Sequence, residues 1–270
     1  MTALPKSVGT IGAGNMAEAI LRGLLRAGMQ PDQLIASDPD PARREHIAQE
    51  LGVRTTESNR DVASSCELVV LAVKPAHLEA ATAELPREGA PLYVSIIAGC
   101  RLATLRGLLG KNARIVRVMP NTPALIGAGI SALASDGDLP AQEVEQATNV
   151  LAAVGRVVHL PEPLLDAVTG LSGSGPAYVY AFIEALTEAG VREGLPAGIA
   201  QELAAETVLG AARLLRESGE QPALLRERVT SPGGTTLAGL SALEQGGLRA
   251  AVFEAVRAAS ARSRELGGDG

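Results

Sequence analysis

The sequence predicts an α/β domain with a doubly wound sheet, followed by an all-α domain. Up to residue 160, short apolar runs alternate with amphipathic helical stretches. Pro161 and Pro163 then mark a linker, and strand signals disappear beyond it. We therefore expect one domain over residues 1–161 and a second over residues 162–270, since this length suffices for two modest cores.

Seven short apolar runs in the first part are candidate strands. They cover residues 7–12, 34–37, 67–73, 92–97, 114–119, 130–133 and 156–160. Apolar strands that alternate with helices indicate a parallel sheet covered on both faces. Between the first two runs, apolar side chains recur at helical spacing, namely Ala17, Ile20, Leu21, Leu24 and Leu25. Gly28 is suited to end that helix.

The second part contains four long helical stretches, over residues 176–193, 197–217, 235–245 and 248–265. The segment 177–186 is apolar nearly all round, which predicts a helix that is buried on every side. A domain of about 110 residues cannot easily bury several such helices by itself. We therefore expect a partner subunit to cover them, which makes this an all-α dimerisation domain.

Charge and composition exclude several classes of protein. The net charge of -6 provides no basic patch for nucleic acid. The three histidines and two cysteines show no metal-ligand spacing, so we predict no metal site. Cys66 and Cys100 have apolar neighbours and fit a reducing compartment. With no N-terminal targeting segment and no uncharged apolar run of about 18 residues, we expect a cytoplasmic protein without membrane contact.

A glycine pattern follows the first predicted strand. It reads Gly12-x-Gly14-x-x-Ala17 and opens the first predicted helix. Gly12 permits a tight turn, Gly14 lets the backbone approach a pyrophosphate, and Ala17 keeps helix and strand close. Because a helix N-terminus attracts phosphate, this context predicts a Rossmann-type dinucleotide site. An ordinary strand–helix turn is the alternative.

Two further segments bear on the cofactor. Asp38 ends the second predicted strand, where an acid binds the ribose hydroxyls of NAD. Arg43 and Arg44 follow, and they suit either a 2′-phosphate or a solvated helix face. The residues thus leave NADH or NADPH open. Residues 72–75 follow another predicted strand, where ligands bind, and we expect Lys74 to balance charge rather than to act in catalysis.

A hydroxyl-rich turn opens the third long helix. Residues 230–236 read Thr-Ser-Pro-Gly-Gly-Thr-Thr. Backbone N–H groups exposed by the glycines, together with the helix dipole, suit a substrate carboxylate. A helix cap after a Pro-Gly turn is the plainer interpretation. Residues 171–178 repeat this arrangement, and close packing of a helix end explains them equally well.

Acid–base machinery does not stand out in the sequence. No histidine, carboxylate pair or Ser-His-Asp arrangement has the spacing of a catalytic group. Reduction of an already protonated imine needs hydride delivery and orientation, whereas reduction of a ketone needs a strong acid near the oxygen. The sequence therefore favours reduction of a small imine carboxylate.

Five segments together resemble the pyrroline-5-carboxylate reductases over essentially the whole chain. They are residues 11–17, 72–75, 117–123, 171–178 and 229–236. The resemblance implies a Rossmann domain and a helical domain whose helices interlock in a homodimer, or in a larger ring of dimers. It also implies reduction of 1-pyrroline-5-carboxylate to L-proline by NADPH or NADH, the last step of proline biosynthesis.

The resemblance also implies roles for individual residues. Cofactor contacts would come from Ile11, Gly12, Ala13, Gly14, Asn15, Met16, Asn59, Ala72, Val73, Lys74 and Pro75. The residues near the nicotinamide would be Ile96, Ile97, Ala98, Met119 and Asn121. The substrate would be held by Ser231, Gly233, Gly234, Thr235 and Thr236. Thr236 would be the catalytic residue that hydrogen-bonds the ring nitrogen. Relatives that prefer NADP often carry a small hydroxyl residue where this chain has Asp38.

Two rival interpretations are weaker. A 3-hydroxyacid dehydrogenase of the same architecture needs a lysine in the first long helix of its second domain, and residues 176–193 contain none. A dinucleotide sensor or scaffold would keep the fold without the chemistry. Such a protein has no need for the donors of residues 231–236, so the intact turn argues against it.

Overall fold

One eight-stranded sheet dominates the first part of the chain in the computed structural model, which describes residues 4–87, 89–135 and 137–268. Its strands are β1 (Val8–Ile11), β2 (Leu34–Ser37), β3 (Arg54–Thr56), β4 (Leu68–Leu71), β5 (Leu92–Ser95), β6 (Ile115–Met119), β7 (Gly129–Ser135) and β8 (Gly155–His159). Their order is β3-β2-β1-β4-β5-β6-β7-β8. The strand order therefore reverses at β1, which is where a doubly wound sheet binds its ligand.

Helices cover both faces of this sheet. They are α1 (Asn15–Arg26), α2 (Pro41–Leu51), α3 (Asn59–Ser65), α4 (Leu78–Thr82), α5 (Leu102–Leu109), α6 (Ala141–Ala152) and α7 (Leu165–Val168). Side chains of β4 alternate between two buried clusters, since Val70 packs with α1 and α6 whereas Val69 packs with α3 and α5. Two separate cores, one on each face, confirm the predicted doubly wound architecture.

The sheet departs from the prediction at two places. β3 has the polar sequence Arg-Thr-Thr and pairs only with β2 at the sheet edge, so it carries no apolar run that would reveal it. β7 runs antiparallel to β6, while β8 is parallel to β7. The connection over residues 120–128 contains only a short 3-10 turn and no crossover helix, so it cannot join parallel neighbours. The prediction of an all-parallel sheet is wrong at this pair.

Five helices form the C-terminal part. They are α8 (Gly175–Arg192), α9 (Ala197–Ser218), α10 (Pro222–Arg228), α11 (Thr235–Gln245) and α12 (Leu248–Leu266). The four long helices lie within two residues of the predicted bounds, and α10 is the short one that was not predicted. By contacts the chain forms one unit of Met1–Ser174 with Ala258–Gly270, and a second of Gly175–Arg257. The domain boundary at residue 161 stays a prediction.

The helical unit leaves its apolar side chains uncovered. Throughout residues 175–257, all of which the structure describes, only Ala200 and Ala204 are buried. In α8, Tyr180 is 62% exposed and Phe182 is 40% exposed. α9 packs on only part of the α8 surface, so burial of α8 on every side stays a prediction that depends on a partner subunit. Apolar area of this kind marks a protein–protein interface.

A buried ionic cluster joins four distant parts of the first unit. Arg117 of β6 lies 3.1 Å from the Glu162 carboxylate and 3.6 Å from that of Asp166 in α7. The Ser263 hydroxyl of α12 donates to Asp166 at 2.6 Å, and the Leu102 N–H of α5 donates to Glu162 at 2.8 Å. This cluster holds the last turns of α12 and the start of α7 against the strand that leads to Met119.

No helix within the described residues is both long enough and apolar enough to cross a membrane.

Candidate active site

The glycine turn after β1 adopts a conformation that only glycine tolerates at its first position. Gly12 has φ +93°, and a Cβ there would lie 2.7 Å from the Ala72 carbonyl oxygen. Gly14 precedes α1 in extended conformation, and a Cβ there would meet nothing within 4 Å. Gly12 is thus constrained by the protein itself, whereas Gly14 leaves space that a ligand can fill. This cradle at a helix N-terminus fits a pyrophosphate.

Ala13, between these glycines, is held from both sides. Its N–H donates to the Asp38 carboxylate at 2.8 Å, and its carbonyl accepts from Arg43 Nε at 2.9 Å. Arg43 also reaches Glu18 of α1 at 3.1 Å. Burial acts to raise the pKa of Glu18, but hydrogen bonds from Arg22, Arg43 and His46 outweigh it and hold this pKa below its ordinary value. The turn is therefore braced by an ionised network.

A cavity of about 500 Å³ opens beside this turn. It is lined by Gly12, Gly14, Asp38, Pro39, Glu57, Asn59, Ala72, Val73, Lys74, His77, Ala80 and Ala81. Asn59 is fixed at its rim, because its Nδ2 donates to the Ala81 carbonyl at 3.0 Å and its Oδ1 accepts from the Ser37 hydroxyl at 2.7 Å. The structure thus brings together cofactor residues predicted on four separate segments.

A second cavity, of about 270 Å³, shares Ala72 and Val73 with the first. It is lined by Met16, Ala72, Val73, Ile96, Met119, Pro120, Asn121, Thr122 and Gly173. The side-chain Oδ1 of Asn121 accepts from the Ile130 N–H at 2.9 Å, which ties this loop to β7. Ala72 and Val73 therefore form a wall common to both cavities, so the two cavities lie next to each other.

Gly173 was missed as a lining residue of this space. It ends a π-helical turn, Thr169–Gly173, and a Cβ there would collide with the Met119 methyl group. Residues 171–178 had been left open between close packing and ligand binding. Gly173 itself is a position of close packing, and its contact with Met119 places the Met119 side chain in the cavity wall. Such π-turns concentrate at functional sites, but their hydrogen-bond pattern leaves no clear sequence signal.

The other predicted cofactor residues lie around the two cavities rather than in their walls. The side chains of Ile11, Ala13 and Ile97 are buried in the core. These residues can offer a ligand only backbone atoms. Asn15 and Pro75 are exposed, and Ala98 is partly buried.

The turn of residues 230–236 connects α10 to α11. Gly233 has φ +69°, and the Gly234 N–H donates to the Ser231 carbonyl at 3.0 Å. Gly234 precedes α11 without a side-chain cap. Among the described residues, no group hydrogen-bonds the hydroxyls of Ser231, Thr235 or Thr236. These donors are therefore not used up in capping, which favours the ligand-binding interpretation over a plain helix cap.

The described residues give no evidence for a nucleophilic cysteine or a metal centre. Burial raises the pKa of the Cys100 thiol to about 11 and also raises the pKa of Cys66. Neither thiol supplies a thiolate at neutral pH. Across the part of the chain that the structure describes, no group of three or more His, Cys, Asp or Glu side chains is placed to hold a metal ion.

The fold and the glycine cradle together define a Rossmann-type, dinucleotide-dependent oxidoreductase. Residues 162–266 match the family model for pyrroline-5-carboxylate reductase dimerisation, and residues 7–99 match that for coenzyme F420-dependent NADP oxidoreductase. The pyrroline-5-carboxylate reductase of Synechocystis is 47% identical over 96% of this chain and 98% of its own. The chain belongs to the pyrroline-5-carboxylate reductase family, as its motifs predicted.

Solved structures agree with this assignment. A pyrroline-5-carboxylate reductase from Coxiella burnetii has a TM-score of 0.91 and 36% identity, covering 97% of this chain and 98% of its own. The pyrroline carboxylate reductase of Plasmodium falciparum, solved with NADP bound, has a TM-score of 0.88 and 30% identity, covering 99% of both chains. Membership of this family makes the protein an oligomeric oxidoreductase with a small-molecule substrate.

The open side of Gly14 provides a test of the cradle. Gly14→Ala is expected to leave the free energy of unfolding within about 0.5 kcal/mol of wild type, since the new methyl group meets no protein atom. The same methyl group occupies space that the pyrophosphate needs, so the affinity for NAD⁺ or NADP⁺ should fall roughly tenfold or more. Calorimetric titration measures this. Gly107→Ala, also in open space but on α5, is the control that should leave affinity unchanged.

Proposed function

We propose that this protein reduces 1-pyrroline-5-carboxylate to L-proline with NADPH or NADH. The observation that carries the proposal is the turn of residues 231–236, with three unoccupied hydroxyls, in a chain that belongs to this family. When bound, the reduced nicotinamide supplies a hydride to the carbon of the C=N bond. The electron pair of that double bond becomes the lone pair of the product amine.

The cofactor would be held by the first unit. The cradle of Gly12 and Gly14 binds the pyrophosphate through backbone N–H groups at the start of α1. Asp38 and Asn59 line the ribose end, while Met119 and Asn121 line the cavity for the nicotinamide. Because these groups lie on β-strand ends and braced loops, they are preorganised for binding.

The substrate would be held by the helical unit. Ser231 and Thr235, with the N–H groups after Gly233 and Gly234, bind the carboxylate at the start of α11. The Thr236 hydroxyl accepts the N–H of the protonated ring nitrogen and thereby orients the C=N bond. Thr236 is half-buried, which shields this hydrogen bond from water.

Orientation rather than acid–base catalysis would carry most of the rate. The substrate nitrogen is already protonated before reduction, so the enzyme needs no strong acid beside it. Asp38, Glu57 and His77 all line the larger cavity, but among the described residues no carboxylate hydrogen-bonds the His77 ring. Positioning of two reactants is worth several orders of magnitude without proton transfer.

Thr236→Ala tests the substrate assignment. The variant loses one hydrogen bond to a charged group, worth about 1.5–3 kcal/mol, so kcat/KM for the imine should fall roughly 10- to 100-fold. The KM for the imine should rise, while cofactor affinity stays nearly unchanged because the first unit is intact. Steady-state kinetics at varied substrate, with titration of the cofactor, measures both.

Thr148→Ala is the matched control for this experiment. Its hydroxyl donates to the Val144 carbonyl within α6, and Thr148 lines neither cavity. Wild-type kinetics are expected for the control. A Thr236→Ala enzyme with an unaltered kcat/KM would remove Thr236 from the site.

The proposal extends to assembly and location. The uncovered apolar side chains of α8 and α9 favour a homodimer whose helical domains interlock, and a ring of several dimers is the larger alternative. Light scattering in solution distinguishes these from each other and from a monomer. The two free cysteines, Cys66 and Cys100, favour a reducing compartment, so we expect the enzyme in the cytoplasm.

A further inference from the structure

We infer that the ribose end of the cofactor site selects NADH over NADPH, with Asp38 as the specificity-determining residue. Arg43 is then a positioning residue of the glycine turn, Arg44 is one of the segment after β2, and neither is a ligand of a 2′-phosphate. This inference rests on the proposed function only in that the protein uses a nicotinamide cofactor. Its evidence comes from residues at the ends of β1, β2 and β3. It resolves the choice that the sequence leaves open.

Asp38 is fixed where the adenosine ribose binds. It directly follows β2, lines the larger cavity, and accepts the N–H groups of Ala13 at 2.8 Å and Asp40 at 3.0 Å. Two backbone donors hold the carboxylate in one orientation. A carboxylate at this position accepts hydrogen bonds from the ribose 2′- and 3′-hydroxyls.

A second carboxylate, Glu57, lies at this end, but its side chain is 82% exposed and Arg44 lies 4.0 Å from it. Glu57 directly follows β3, which pairs with β2, so both acids lie on the same side of the glycine turn and line the same cavity. A 2′-phosphate adds up to two negative charges at the ribose. Asp38 is therefore the carboxylate that a 2′-phosphate would meet first, and rejection of the wrong ligand by repulsion is a general source of specificity.

The two arginines that could offset this charge already have partners. Arg43 donates to the Ala13 carbonyl and reaches Glu18, and Arg44 donates to the carbonyls of Asp38 at 2.7 Å and Pro39 at 2.9 Å. Neither arginine lines the cavity. Nε and Nη2 of Arg43 are both committed to the Ala13 carbonyl, so its guanidinium is anchored on the glycine turn rather than in the cavity.

The cations that do line the cavity lie on its other side. Lys74 and His77 follow β4, and β1 separates β4 from β2. Two strand spacings of about 4.8 Å each therefore lie between the ends of β2 and β4. Lys74 and His77 thus line the larger cavity from the β4 side, whereas Asp38 lines it from the β2 side.

Calorimetric titration of the full-length protein with NAD⁺ and with NADP⁺ tests this inference without relying on turnover. Wild type is expected to bind NAD⁺ at least about tenfold more tightly, the equivalent of about 1.4 kcal/mol. Asp38→Asn keeps the acceptor for the Ala13 N–H but loses the charge, so the ratio should shift toward NADP⁺ by about tenfold or more. Asp32→Asn, an exposed acid on the turn before β2, is the control that should leave the ratio unchanged.

The arginines supply the second arm of the test. Arg43→Ala should weaken both cofactors by the same factor, because it loosens the turn that binds their common pyrophosphate. The inference is overturned if wild type prefers NADP⁺, if Asp38→Asn leaves the ratio unchanged, or if loss of either arginine weakens NADP⁺ selectively. A wild-type preference for NAD⁺ in a protein that reduces no pyrroline-5-carboxylate would sink the proposed function but leave this inference standing.

Discussion

Arg117→Met is expected to lower the free energy of unfolding by about 3–5 kcal/mol, the largest stability loss we predict for a single substitution. Arg117 is only 4% exposed and faces the carboxylates of Glu162 and Asp166, of which Asp166 is 7% exposed. Removal of the guanidinium leaves Asp166 as a buried charge without a cation. The loss of charge balance would free the last turns of α12, which Ser263 ties to Asp166. Chemical denaturation measures the change.

Arg114→Met is the matched control for that loss. Arg114 precedes the same strand and pairs with Glu143 at 2.6 Å, but its side chain is 45% exposed. Exposed ion pairs contribute roughly 0–1 kcal/mol, so this variant should unfold almost as wild type does. Equal losses of stability in the two variants would show that burial does not make the Arg117 cluster more stabilising than the Arg114 ion pair.

Gly12→Ala is expected to cost roughly 2–4 kcal/mol of stability and to abolish measurable cofactor binding. The backbone at φ +93° is strained for any residue with a Cβ, and that Cβ would lie 2.7 Å from a carbonyl oxygen of the neighbouring strand end. Backbone atoms cannot yield as a flexible side chain would. The turn must therefore shift, and the cradle with it.

Gly28→Ala separates these two causes. Gly28 has φ +101°, close to that of Gly12, but a Cβ there meets nothing within 4 Å. Its cost should be only the backbone strain, about 1–2 kcal/mol, with cofactor affinity intact. If the two variants lose the same stability and both still bind the cofactor, the close approach to Ala72 is not what shapes the turn.

Regular apolar patterns made most of the fold predictable. Seven strands and four long helices were predicted from apolar runs and helical periodicities, which are local features of the sequence. β3 was not predicted, because it is an edge strand with one neighbouring strand and needs no apolar run. The direction of β7 was not predicted, because it depends on whether the connection after Met119 contains a helix. The Pro-rich sequence of that connection does not indicate this.

The candidate site was predictable where a motif carries its own conformation. The cradle of Gly12 and Gly14 and the turn before α11 lie where the sequence placed them. The hydrogen-bond partners of these side chains were not predictable, because Arg43 bonds Ala13 across 30 residues of sequence and Ser263 bonds Asp166 across 97. Such contacts exist only once the chain has folded, so the sequence left the role of the arginines open and gave no hint of the buried cluster.

The uncovered helical surface completes this contrast. The sequence identified the apolar character of α8, and its side chains are exposed in the single chain. Hydrophobicity predicts that such a surface is covered, but it does not identify the partner. The match of residues 162–266 to a dimerisation family model supports the proposal that the partner is a second copy.

The most direct test of the central claim is the absorbance of the reduced nicotinamide when purified protein meets pyrroline-5-carboxylate with NADH, and separately with NADPH. We predict oxidation that requires the imine and yields one L-proline for each cofactor oxidised, faster with NADH. Absence of imine-dependent oxidation with either cofactor would contradict the proposed reaction.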